Sequence, residues 1–107
     1  MVILPLVKAA EFFREKLFLM HKNGKRVAIL QIVFWEVPKN KNFPEGCKYR
    51  AWLSEEGRTI VGFDNHAPKG HHMHMGDIEV EYRFQGFDQL LEDIQKFVLK
   101  EGFIYED

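Results

Sequence analysis

The dipeptide Asn23-Gly24 stands between two apolar stretches, residues 17–20 and 27–37. It tolerates the positive φ angles of a tight turn, so it marks an antiparallel hairpin. The first arm alternates, with Leu17, Leu19 and His21 on one side and Phe18 and Met20 on the other. The second arm is apolar on both faces apart from Gln31 and Glu36, which predicts a strand central in its sheet. Pro38 ends it, and 39–46 reads as a polar loop. Period-two alternation resumes at 48–53, with Lys48, Arg50 and Trp52 on one face and Tyr49, Ala51 and Leu53 on the other. Residues 54–57 then read as a four-residue hairpin loop before a strand at 58–63. Pairing Leu53 with Arg58 sets Lys48 opposite Phe63 and Arg50 opposite Val61.

A further strand is expected at 77–84, with Ile78, Val80, Tyr82 and Phe84 facing inward and Asp77, Glu79, Glu81 and Arg83 facing water. Residues 87–101 read as a helix, because Phe87, Leu90, Leu91, Ile94, Phe97 and Val98 follow one buried stripe. The Ala-containing stretch 6–14 suggests a short N-terminal helix. The expected architecture is α+β: an antiparallel sheet of about five strands packed on a C-terminal helix, with a short N-terminal helix. The 107 residues fit a single domain, 1–107. One cysteine, Cys47, excludes an internal disulfide and a cysteine-based zinc cluster, and suits a cytoplasmic setting. No stretch approaches the roughly 20 apolar residues of a membrane span. The apolar start, 1–6, is broken by Pro5 and does not read as a signal peptide. Residues 1–50 hold ten Lys/Arg against four Glu, and 51–107 hold five against twelve Asp/Glu, so a net charge of −1 divides into +6 and −7. A basic half attracts phosphate if its charges converge on one face; otherwise the two halves simply neutralise each other.

Residues 63–74 hold four of the five histidines, together with Asp64, Asn65 and Lys69. Pro68 and Gly70 make this a loop. His72 and His74 have the chemistry of an acid/base pair for metal-free RNA cleavage, one ring accepting a proton and the other donating one. Lys69 and Arg50 supply positive charge for the transition state. Asp64 orients an imidazole or holds Lys69, and Asn65 fixes the turn. Lys48, Asn65 and Tyr49 are candidates for substrate binding, while Phe34, Trp35, Tyr49 and Trp52 are stacking surfaces wherever they are exposed. His66, His71, His72 and His74 with Asp64 also suffice as metal ligands, but no spacing matches a zinc signature, so no metal and no cofactor is assigned. The plainest alternative is a solvated polar loop. Cys47, beside Lys48, is the one thiol candidate for nucleophilic chemistry.

The set Lys48-Tyr49-Arg50, Phe63-Asp64-Asn65, Lys69-Gly70, His72 with His74, Gly76-Asp77, Tyr82 with Phe84, and Leu90-Leu91-Glu92-Asp93-Ile94 resembles the TumE-type family of small bacterial and archaeal toxins of toxin–antitoxin pairs. The likeness covers residues 15–98; His66 and His71 depart from its pattern. It implies a toxin role and a cognate antitoxin with a helix-turn-helix domain as partner. Residue chemistry adds RNA as target and a metal-independent ribonuclease as the leading reading. The alternatives are a non-catalytic nucleic-acid-binding or antitoxin-interaction module and a small His-rich metalloprotein. No membrane partner is expected, and self-association into a homo-oligomer stays open.

Overall fold

The computed structural model describes residues 10–105. They form β1 (Ala10–His21), β2 (Val27–Glu36), β3 (Cys47–Glu55), β4 (Arg58–Asp64), β5 (His72–Met75), β6 (Ile78–Glu81), α1 (Phe87–Lys100) and β7 (Phe103–Ile104). The strands build one antiparallel sheet in the order β6-β5-β4-β3-β2-β1-β7. β2 lies between β1 and β3, as its two-sided apolar pattern requires.

The expected five strands and N-terminal helix are both corrected. The sheet has seven strands, and the described residues contain no N-terminal helix: 10–14 already belong to β1. Residues 6–9 of that expected helix, and the apolar start 1–6, lie outside the described residues. Helix preference is worth only tenths of a kcal/mol per residue. Against it stands β2, whose ladder needs a partner along its whole length, from Met20↔Val27 to Ala10↔Glu36. A bulge between Glu11 and Phe13 lets both Phe12 and Phe13 meet Phe87 of the helix, at 5.0 and 5.2 Å between ring centroids. The two added strands are β5, inside the expected loop, and the two-residue β7, which pairs with Met20 and His21.

One register and one strand end also shift. The β3–β4 hairpin closes at Glu55↔Arg58 through Glu56-Gly57, whose φ angles of 50° and 77° suit a type I′ turn. A bulge beside Leu53 then sets Arg50 opposite Asp64 and Trp52 opposite Gly62. The strand expected at 77–84 ends at Glu81. Ile78 and Val80, near the tip of the edge hairpin, are 61% and 39% exposed. Tyr82 and Phe84 do reach the core, but from beyond the ladder: Tyr82 meets Phe63 edge-on at 4.9 Å and Phe84 stacks on Tyr49 at 5.1 Å.

The core lies on one face of the sheet. Leu30, Ile32, Phe34, Tyr49, Ala51, Leu53, Val61 and Phe63 point there and meet Leu90, Ile94 and Val98 of α1. That burial is what holds the helix; Asp88 in its first turn and Lys100 in its last suit its dipole. Among the described residues, no helix lies over the opposite face. Asn65 fixes where the ladder stops. Its buried amide accepts a hydrogen bond from the Tyr49 N–H at 2.9 Å and donates one to the Cys47 carbonyl at 2.8 Å. It thereby continues the β3–β4 pairing past the last strand residue.

Replacing Asn65 by Ala leaves two buried backbone groups unpaired, each costing about 1–3 kcal/mol. Urea unfolding of Asn65→Ala is therefore expected to show a loss of about 2–5 kcal/mol, against under about 0.5 kcal/mol for exposed His66→Ala. Equal midpoints for Asn65→Ala and wild type would remove Asn65 from this role.

Candidate functional site

Alternation along the strands gathers the open face into two cross-strand rows. One runs Glu81, His72, Asp64, Arg50, Val33, Arg14; the other runs Glu79, His74, Gly62, Trp52, Gln31, Lys16. His72 and His74 share this face because they sit two residues apart on β5, and Asp64 lies across the ladder from His72. The three converge. His72 Nε2 is 3.0 Å from Asp64 Oδ1, and His74 Nε2 is 3.1 Å from Asp64 Oδ2. Asp64 Oδ1 also accepts the His66 N–H at 3.1 Å, which shapes the start of the loop. His72 donates from Nδ1 to the Gly70 carbonyl at 2.6 Å and is only 8% exposed, against 21% for His74 and 14% for Asp64.

Beside this cluster lies a cleft of about 330 Å³ lined by Trp35, Lys48, Arg50, Trp52, Asp64 and His74, with His66 and Tyr49 also bordering it. A second cleft of about 300 Å³ shares Trp35, Arg50 and Trp52 and adds Arg14, Gln31 and Val33. Together they make one groove across β1 to β5. The Arg50 guanidinium lies 4.7 Å over the Trp52 ring and Lys48 Nζ lies 5.8 Å over Trp35. Trp52 packs flat on Gly62: a Cβ there would come within 2.4 Å of the indole, so only glycine admits the ring. The Trp52 Nε1–H donates to Thr59 Oγ1, and its ring stands 4.9 Å from that of His74.

The remaining residues singled out in the sequence go elsewhere. Lys69 is 65% exposed and pairs with Glu79 at 3.1 Å rather than with Asp64. That ammonium holds the Glu79 carboxyl below the usual carboxylate range. Tyr49 points into the core, where burial pushes its phenol far above the ordinary value. Its hydroxyl meets His71 Nδ1 at 2.8 Å, and His71 Nε2 faces Glu45 at 3.0 Å while the ring stacks on Phe84 at 4.7 Å. His71 thus serves packing on the helix side, one residue out of phase with His72. Asn65 spends both amide atoms on β3. His66 stays exposed at the groove rim. Phe34 is buried, while Trp35 and Trp52 are half-buried on the open face. Glu79 and the Gly70 carbonyl, both partners of His72, carried no signal in the sequence; only the β5–β6 register and the loop's path bring them in.

A family model described as Toxin TumE matches residues 5–101 of the 107-residue chain. The chain belongs to the TumE toxin family, which gives it the role of toxin component in a toxin–antitoxin system and a cognate antitoxin as partner. No curated protein and no solved structure matches it. Among the described residues, no helix is long and apolar enough to cross a membrane.

Cys47 is buried on the helix side, away from the cluster. Burial, with a smaller contribution from Glu45, pushes its thiol up to about 11. At pH 8 only about one thiol in a thousand is then ionised, so it makes a poor nucleophile. A disulfide reagent at that pH is expected to leave the native chain almost unlabelled and to label it fully in denaturant. Rapid native labelling would reopen thiol chemistry.

Proposed function

We propose that this TumE-family toxin acts on RNA, laying a single-stranded stretch along the groove of its open sheet face with the Asp64–His72–His74 cluster at the reactive end. The observation that carries the reading is the groove's composition. Trp35 and Trp52 offer flat surfaces, Lys48 and Arg50 stand over them, and Arg14 extends the positive charge toward β1. Bases stack on aromatic rings without regard to sequence, and cations beside them follow the phosphates. The basic first half of the chain supplies most of this charge, so β1–β3 form the strand-binding side and β4–β6 the side that carries the cluster.

At the reactive end the histidines differ. His74 lines the cleft and meets a bound strand, with Asp64 behind it; His72 stands deeper, with both ring nitrogens engaged. Arg50, opposite Asp64, is the cation placed to meet a phosphate at that end, and Lys69 reaches it only by leaving Glu79. The engagement of His72 also favours a second reading, a groove that binds RNA without turning it over. The cellular setting is taken to be the cytoplasm, which a single cysteine suits, and the antitoxin a helix-turn-helix protein, on the family likeness.

Fluorescence anisotropy with a labelled single-stranded RNA tests the groove. Trp35→Ala and Trp52→Ala are each expected to weaken binding by about 1–3 kcal/mol. Arg50→Ala is expected to lower the slope of log affinity against log salt by about 0.7 for each phosphate the arginine had neutralised. Affinity indifferent to salt and to all three changes would sink the reading. Induced expression of wild type beside a His72→Ala, His74→Ala double variant, with total RNA examined, separates the two forms. Cleavage by the wild type alone supports a catalytic cluster. Growth arrest and RNA binding without cleavage by either protein support the binding form.

A further inference from the structure

We infer that Asp64, His72 and His74 form a binding site for one divalent transition-metal ion of the zinc type. One candidate ligand atom from each residue lies within 4.8 Å of the others. The donor set, two imidazoles and a carboxylate, is one that zinc and its neighbours in the first transition row take readily, and it needs no cysteine. The two N···O separations, 3.0 and 3.1 Å, are near the spacing of about 3.4 Å expected between ligands that share a tetrahedral zinc. An ion between these atoms would replace the hydrogens that now bridge them.

The surroundings do what a metal site needs. Gly70's carbonyl holds His72 Nδ1–H at 2.6 Å, which fixes the ring and leaves Nε2 as the ligand atom. Such an outer hydrogen bond is the usual partner of a metal-bound imidazole. His74 is backed by the Trp52 ring, which Gly62 admits. Backbone pairing of β4 with β5 sets both histidines against Asp64, so the donors are positioned by the sheet rather than by a loop. A fourth group stands close: Glu79 Oε1 is 3.6 Å from His72 Nε2 and is tied to Lys69. His74 and Asp64 border the cleft, so a coordination position not taken by Glu79 opens onto it. The site stands on its own geometry and does not depend on the RNA reading.

The test uses the full chain, stripped with chelator and titrated with Co²⁺, whose visible absorption reports nitrogen and oxygen ligation. One ion per chain is expected, displaced by Zn²⁺, with a rise in melting temperature when Zn²⁺ is added. His74→Ala and Asp64→Asn, each checked for fold by circular dichroism, are expected to lose affinity at least tenfold. His66→Ala is expected to change nothing. RNA binding is read separately on the stripped protein, so failure of one property is distinguishable from failure of the other. Folded wild type that takes up no Co²⁺ would overturn the metal site. So would uptake that survives both site variants, or uptake that disappears with His66→Ala, which would mark casual chelation by the loop.

Discussion

One helix covers one face of a seven-stranded sheet, and everything else in this molecule follows from that asymmetry. Antiparallel strands send alternate side chains to opposite faces, so the central strands β2, β3 and β4 each carry a core set and an open set. The core set meets Leu90, Ile94 and Val98, and its burial supplies the hydrophobic stabilisation. The open set is relieved of packing duty. It can hold Lys48, Arg50, Trp52, Asp64, His72 and His74 in rows whose spacing is set by backbone hydrogen bonds. A site built on strands is held more tightly than one built on a loop, and this one draws its three convergent residues from β4 and β5.

The division of the histidine-rich stretch shows how fine that control is. Asn65 ends the β3–β4 ladder with its side-chain amide, the loop 65–71 turns, and β5 begins at His72. From that point parity decides. His72 and His74 enter the open face with Asp64, whereas His71, one position earlier, goes to Tyr49, Phe84 and Glu45. His66 sits in neither set. A register slip of one residue in β5 would exchange these roles and carry both site histidines away from Asp64.

On the reading proposed above, the open face is the toxin's working surface. It offers a footprint of aromatic rings, cations and a carboxylate-paired couple of histidines. The acidic strand β6, with Glu79 and Glu81 beside the histidines, bounds the footprint on one side; Arg14 and Lys16 on β1 bound it on the other. The charge asymmetry between the halves of the chain is therefore spread across the sheet as a gradient.

By itself the sequence determined the family and several local elements, while the expected five strands and N-terminal helix were wrong. The Asn23-Gly24 hairpin, the central β2, the face shared by Lys48, Arg50 and Trp52 and the stripe of α1 were legible, because each is a local rule of turn chemistry or periodicity. Tertiary structure decided what local rules leave open. β1 became a strand because β2 needed a partner, overriding a weak helix preference at 10–14. β5 was hidden because its two inward-alternating residues are methionines and its outward ones histidines, a pattern that also suits a loop. The convergence of Asp64, His72 and His74 required the pairing of β4 with β5, and a bulge in the β3–β4 ladder set Arg50 beside them opposite Asp64. None of these is written in any one segment, because register is settled only when strands distant in the chain bury their shared face together.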